Sequence, residues 1–292
     1  MRIALFGKHL SDSSLPCLQE LFDALHALNC STSIYAPLYT LLSPHIIFPE
    51  PPASFQSRNE IEGCTDFLLS IGGDGTMLEA AGLVGSLGIP IAGINIGRLG
   101  FLSGISRDMI LPAVTALMEG DFLLEKRSLL LLESPPDLFG EVNFALNDIT
   151  VYKPNVMSML TIKTWINDQF LNAYWADGLI IATPTGSTAY SLSCTGPILT
   201  PDSENFVITP IASHNLTVRP MVIRDDSTIR IEVATVSDHY LLNLDSRSES
   251  LDQQTVLEIK KAPFSTKLVR LKEKHFFQTL REKLNWGLDN RN

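Results

Sequence analysis

Apolar and polar positions in the first third of the chain switch repeatedly between two periods. "RIALFG" (2–7) is a continuous apolar run that predicts a buried strand. "LPCLQELFDALHALN" (15–29) places Leu18, Leu21, Phe22, Leu25 and Leu28 at helical spacing. The alternation then recurs. "TDFLLSI" (65–71) predicts a second strand and "TMLEAAGLVGSLG" (76–88) a second helix. "IPIAGINI" (89–96) predicts a third strand, and "SRDMILPAVTALMEG" (106–120) a third helix closed by Gly120. Strands and helices alternating at this pitch predict βαβ units and a parallel sheet. The intervening "FPEPPASFQSRNE" (48–60) is expected to be a Pro-rich surface loop.

After about residue 122 the helical period gives way to short β-rich runs, among them "EVNFALNDITVYK", "MLTIKTWI", "STIRIEVAT", "TVLEIKKA" and "TKLVRLKE". "IKTWINDQFLNAY" (162–174) predicts a hairpin with Asn167 and Asp168 at its tip. "HFFQTLREKLNW" (275–286) predicts a terminal helix. The expected fold is an α/β N-terminal domain with a Rossmann-like parallel sheet over 1–121, then a mostly β, sandwich-like domain over 122–274. A C-terminal helix within 275–292 is expected to pack back on the first domain.

Composition narrows the function classes. With 45% hydrophobic and 18% charged residues, the 292-residue chain has ample material for a packed core. Its net charge of −10 argues against a nucleic-acid partner, which calls for a basic stripe. Cys17, Cys30, Cys64 and Cys194 form no CxxC pair, and no HExxH or Cys/His cluster suggests a dedicated metal site. "MRIALFGKHLSDSS" turns polar too soon for a signal peptide, and no apolar run is long enough for a membrane span. A cytoplasmic protein with no membrane partner is expected.

Candidate chemistry begins at "SIGGDGTMLEAA" (70–81), where a Gly-rich turn joins a strand to a helix. Glycines let a ligand approach the backbone, and the free amides of a first helical turn favour an anion such as phosphate. It is neither a P-loop nor a GxGxxG fingerprint. Two readings of Asp74 stand side by side: a helix N-cap, or a general base that takes a hydroxyl proton during phosphoryl transfer. Three further stretches stand out: "GINIGRLGFLS" (93–103), "LNDITVYK" (146–153) and "YWADGLIIATPTGSTAYSLSCTGPI" (174–198). Arg98 and Arg247 are candidate phosphate partners or solvated surface arginines, and His214 reads as structural.

Together with GGDGT, these stretches resemble the NAD kinases, which phosphorylate the adenosine 2′-hydroxyl of NAD; "TPTGSTAYSLS" is the most specific of them. The resemblance implies Asp74 as general base, with Gly72, Gly73 and Thr76 shaping a phosphate-facing turn. It implies a nucleotide site of Gly75, Phe101, Asn147, Asp148, Asp177, Thr185, Thr188, Ala189, Tyr190 and Ser193. In that set Asn147 and Asp148 reach the adenosine, Asp177 the nicotinamide side, and Thr188, Ala189 and Tyr190 the adenine. It further implies NAD and ATP as substrates and Mg²⁺ or another divalent cation arriving with ATP, with Asp74 as a possible metal contact. A homodimer or homotetramer is implied, with neighbouring subunits contributing to the nucleotide site. Two positions depart from the family pattern. Asp148 stands where Glu is usual, one methylene shorter, and Trp175 stands two residues before Asp177, where a basic or small residue is common. A lipid or sugar kinase of the same broad fold and a non-catalytic NAD(P) sensor are the alternative classes.

Overall fold

The computed structural model describes residues 1–8, 12–97, 100–154, 159–272 and 275–287. These form two compact units, Met1–Lys126 with Thr266–Asn292, and Arg127–Ser265.

The first unit is built on a seven-stranded sheet. Its strands are β1 (Arg2–Phe6), β2 (Ser31–Tyr35), β3 (Ala53–Phe55), β4 (Phe67–Ile71), β5 (Ile91–Ile94), β6 (Phe122–Arg127) and the returning segment Thr266–Leu271. Their spatial order is β3-β2-β1-β4-β5, then Thr266–Leu271, then β6. The first five pair in parallel, and Leu268 joins Ile91 in parallel. Helices α1 (Leu15–Ala27), α2 (Ala36–Leu42), α3 (Asp74–Val84) and α4 (Ile110–Glu119) complete the βα pattern. Leu18, Leu21, Phe22 and Leu25 of α1 are buried with Ile3, Leu5, Val114 and Leu117, so the apolar stripe read from the sequence is the core face. Gly120 closes α4 in the left-handed region, at φ 74°.

Two segments depart from the pattern read above. Residues 48–60 are not wholly loop: Ala53–Phe55 adds an edge strand, and buried Phe55 packs against Tyr35. Three residues after a run of prolines are too few to show a period of two. The second concerns the unit divide, which falls at 126/127 and 265/266 rather than at 121/122 and 274/275. A strand's alternation says that it is a strand, not which sheet it joins. Phe122–Arg127 and Thr266–Leu271 therefore read as continuous with the β-rich run, although both lie in the first sheet. The C-terminal helix, Phe276–Leu284, buries Leu280.

The second unit contains two six-stranded antiparallel sheets. Strands β7 (Leu130–Ser134), β8 (Phe144–Ala145), β9 (Asp148–Tyr152), β10 (Leu160–Ile166), β11 (Gln169–Ala176) and β12 (Gly178–Ala182) lead the chain order. They are followed by β13 (Asn205–Ile211), β14 (Met221–Arg224), β15 (Ile229–Ala234), β16 (His239–Leu244), β17 (Arg247–Asp252) and β18 (Leu257–Lys261). The sheets run β11-β10-β15-β18-β7-β8 and β14-β13-β12-β9-β16-β17. Ile162, Ile231 and Ile259 of the first and Val151, Leu179 and Leu242 of the second merge in one buried cluster, as in a sandwich. The hairpin at 162–174 forms: Asn167 and Asp168 take φ of 48° and 63°, the two positive values of a type I′ turn. β12 is buried at all five positions, and β9 lies antiparallel to it with Asp148 opposite Ala182 and Tyr152 opposite Gly178.

Candidate functional site

The strand order of the first unit reverses between β1 and β4, where a doubly wound sheet opens a crevice beyond its carboxyl ends. The GGDGT turn leaves β4 at that end. Gly72 donates its N–H to Ile94 O at 3.0 Å and has φ of 151°. A Cβ there would lie 2.8 Å from Thr76 Cβ and closer still to its hydroxyl, so the turn admits only glycine. Gly73 is the N-cap of α3, and no side chain caps the helix. The amides of the first turn have no intrahelical acceptor and are left to a ligand or solvent. Lys8, just after β1, adds a cation beside this helix through its ion pair with Glu79 at 3.0 Å.

Asp74 is the first helical residue and does not cap α3. Its carboxylate instead reaches a loop 27 to 29 residues further on. Oδ2 accepts one hydrogen bond, from Phe101 N at 2.7 Å. Oδ1 accepts three, from Leu102 N at 3.0 Å, Ser103 N at 3.2 Å and Ser103 Oγ at 3.3 Å. Asn95 Nδ2 donates to Ser103 Oγ at 3.1 Å, which turns the hydroxyl proton toward Asp74. Gly100 makes this approach feasible: a Cβ on it would lie 2.6 Å from Asp74 Oδ2 and closer to Oδ1. Phe101 is half-buried beside the clamp. Arg98 lies outside the described residues.

In the second unit the antiparallel pair β9–β12 has a polar cluster at each end. At one end are Asn147 and Asp148 and the turn after β12. Thr183 N donates to Asn147 O at 2.9 Å and Thr183 Oγ1 to Leu146 O at 2.6 Å. Thr185 and Ser187 are buried, Thr188 and Ala189 half-buried, and Ser193 exposed. Tyr190 is 42% exposed. At the other end Asp177 carries the chain from β11 to β12, from one sheet into the other, so Asp177-Gly178 is not a hairpin turn. Its carboxylate pairs with Lys153 at 2.6 Å. Trp175 packs against His214 with tilted rings, their centroids 4.3 Å apart, and His214 N donates to Trp175 O at 2.9 Å.

The chain matches two known domains. The ATP-NAD kinase N-terminal domain matches residues 53–122 and the ATP-NAD kinase C-terminal domain residues 146–271. An NAD kinase of Flavobacterium johnsoniae is 43% identical over 294 residues, covering 100% of both chains. The chain belongs to the NAD kinase family. Another member, from Porphyromonas gingivalis, is 46% identical over 286 residues, 98% of each chain. Among solved structures, an Archaeoglobus fulgidus NAD kinase in complex with ATP superposes with a TM-score of 0.75 at 26% identity, covering 98% of this chain and 99% of that one. The fold is also that of yeast NADH kinase complexed with NADH, at a TM-score of 0.87 and 24% identity, covering 100% of this chain and 89% of that one.

At the position where this NAD kinase carries Asp rather than Glu, the shorter side chain is buried, 7% exposed. Asp148 Oδ1 accepts from Thr150 Oγ1 at 2.8 Å. Burial pushes the carboxyl up to about 7, with the Thr150 hydrogen bond opposing and Asp245 adding to the rise. A carboxyl raised in the fold prefers its neutral form, so the native state loses stability as pH climbs toward 7. Asp148→Asn keeps the acceptor for Thr150 and removes the charge. Relative to wild type, the variant is expected to gain about 2–3 kcal/mol between pH 5 and pH 8 in urea unfolding. An equal difference at both pH values would show that Asp148 is ionised throughout.

Arg247 is neither a surface arginine nor a phosphate partner. It is half-buried, its guanidinium donates to Val142 O and Phe144 O, and it lies over the Phe139 ring. Burial lowers its pKa, with Asp245 opposing. Asp245 itself is a residue that the sequence pattern hides, because an Asp between two β-like runs reads as an ordinary turn. Among the described residues no group of three or more His, Cys, Asp or Glu side chains converges to hold a metal ion, and no helix is long and apolar enough to cross a membrane.

Proposed function

We propose that this NAD kinase family member transfers the γ-phosphoryl group of ATP to the adenosine 2′-hydroxyl of NAD, giving NADP and ADP, with Asp74 as general base. The carrying observation is the asymmetry of the Asp74 carboxylate. Three donors occupy Oδ1, whereas Oδ2 has one and keeps room for a substrate hydroxyl. As the ribose oxygen attacks phosphorus, its proton passes to Oδ2 and the bond to ADP breaks. The amides held by Asp74 fix its rotamer, so the base is positioned before substrate arrives. Gly72, Gly73 and Thr76 shape the turn, and the free amides at Gly75 and Thr76 favour the phosphates.

Asn147 is assigned to the adenosine, with Asp148 shaping the strand beneath it, and Thr185, Thr188, Ala189, Tyr190 and Ser193 to the adenine end. Phe101 lines the nucleotide by packing. Asp177 is six residues from Thr183 along the strand direction, about 20 Å at the rise of a β-strand. That separation favours Asp177 serving the nicotinamide side of a dinucleotide held by a neighbouring copy, in a homodimer or homotetramer. The edge strands β14, with Met221 and Val222 exposed, and β11 are suited to such pairing. Mg²⁺ or another divalent cation would enter with ATP and neutralise phosphate charge, and Asp74 is the residue of the turn that would contact it. The proposed compartment is the cytoplasm.

The test is purified chain with NAD, ATP and Mg²⁺, with NADP read by an NADP-specific dehydrogenase. NADP formation is expected. Its absence with folded protein would redirect the search to lipid and sugar acceptors, and NAD binding without turnover would point to a sensor.

A further inference from the structure

We infer that Asp245 is a positioning residue, one that presets Asn147 for nucleotide recognition. The inference rests on the adenosine role given to Asn147 above.

Asp245 lies in the turn between β16 and β17 with φ of 52°, a region that Asp and Asn enter more readily than other side chains. Its carboxylate accepts from three successive amides: Leu146 N at 2.9 Å on Oδ2, and Asn147 N at 2.7 Å and Asp148 N at 3.2 Å on Oδ1. Its own N–H donates to Asp148 O at 3.0 Å. Two residues on, Arg247 holds Val142 O and Phe144 O. The turn 245–247 therefore grips the segment 142–148 along its length.

The opposite side of the same segment is held as firmly. Asn147 O accepts from Thr183 N, and Leu146 O from Thr183 Oγ1. A Cβ on Gly186 would lie 2.8 Å from Asn147 Cα and closer to its carbonyl, so the turn after β12 packs directly on this peptide. Both backbone polar groups of Asn147 are thus committed. Its half-exposed carboxamide, by contrast, has no hydrogen-bond partner among the described residues. A free recognition group on an immobilised backbone is the signature of preorganisation, which spares binding the cost of ordering it. Only a carboxylate suits the task. It has about four acceptor sites for these three amides, whereas an Asn would turn an NH₂ toward one of them.

A hairpin turn that merely closes β16 on β17 would affect stability alone, so the test is a double-mutant cycle on the full chain. NAD binding is measured by calorimetry and the KM for ATP by turnover, for Asp245→Asn, Asn147→Ala and the double variant. Asp245→Asn is expected to weaken NAD binding about tenfold in the wild-type background and less than about twofold in Asn147→Ala, with the KM for ATP unchanged. Equal losses in both backgrounds, or wild-type affinity in Asp245→Asn while Asn147→Ala loses affinity, would overturn the inference. Wild-type affinity in Asn147→Ala would instead overturn the role of Asn147 itself. Should Asp245→Asn fail to fold, Asp245→Glu, with the charge kept and the arm lengthened, goes through the same cycle with the same expectation.

Discussion

Asp74→Asn is expected to lower kcat by about three orders of magnitude at saturating NAD and ATP, the middle of the range for a removed general base. The dissociation constant for NAD is expected to stay within about threefold, because the proposed base would contact one hydroxyl and the other proposed nucleotide contacts are left in place. The clamp adds a structural consequence. The amides of Phe101, Leu102 and Ser103 all point at this carboxylate. An Asn must set its NH₂ against at least one of them, leaving a donor unmatched at a cost of about 1–3 kcal/mol. A modest loss in thermal unfolding should therefore accompany the loss of turnover, and kinetics belong at a temperature where the variant is fully folded. If the folded variant turns over within about tenfold of wild type, Asp74 serves the loop and another group takes the proton.

Gly100→Ala is the second large effect, and it alters no group assigned to substrate. The new methyl would sit 2.6 Å from Asp74 Oδ2 and nearer to Oδ1, so the carboxylate or residues 100–103 must move. Either displacement uncouples the proposed base from the amides of Phe101, Leu102 and Ser103 that hold it. Misplacement of a reacting group by about 1 Å costs about a hundredfold in rate, and kcat should fall by that much. The loss should act through Asp74: adding Gly100→Ala to Asp74→Asn is expected to change the residual rate by less than about threefold. Fully additive losses would place the role of Gly100 outside its contact with Asp74.

Local features of the site were legible in the sequence, and contacts between distant segments were not. The strand before GGDGT and the helix after it follow from "FLLSI" and from the small and apolar residues of "TMLEAA". That Asp74 would be the first helical residue, capped by nothing, was one step from that reading. Its true partners were out of reach, because no period in the chain links position 74 to 101–103. Asn147-Asp148 stood out as a polar pair in a β-like run, yet its anchor lies at Asp245, whose Asp-Ser-Arg context looks like any solvated hairpin tip. Arg247 was misread for the same reason. A guanidinium buried against carbonyls has the same letter as one in water, and only the fold shows Val142 O and Phe144 O waiting for it. β2 left little trace, since only Ile34 of "STSIY" is fully buried.

β12 is a gauge as well as a strand. All five of its residues are buried, and a Cβ at Gly178 would lie 2.9 Å from Ile211 Cδ1 and closer to Val151 O. A slip of one residue would carry every side chain to the opposite face and set an unsuitable one at that pinch point. The interval between the Asn147 end and the Asp177 end is thus quantised, alterable only by whole pairs of residues, about 7 Å at a time. Loops can retune what each end prefers, but neither can drift toward the other. Selection for a longer or shorter ligand would have to act outside β12, since the strand itself offers no intermediate length.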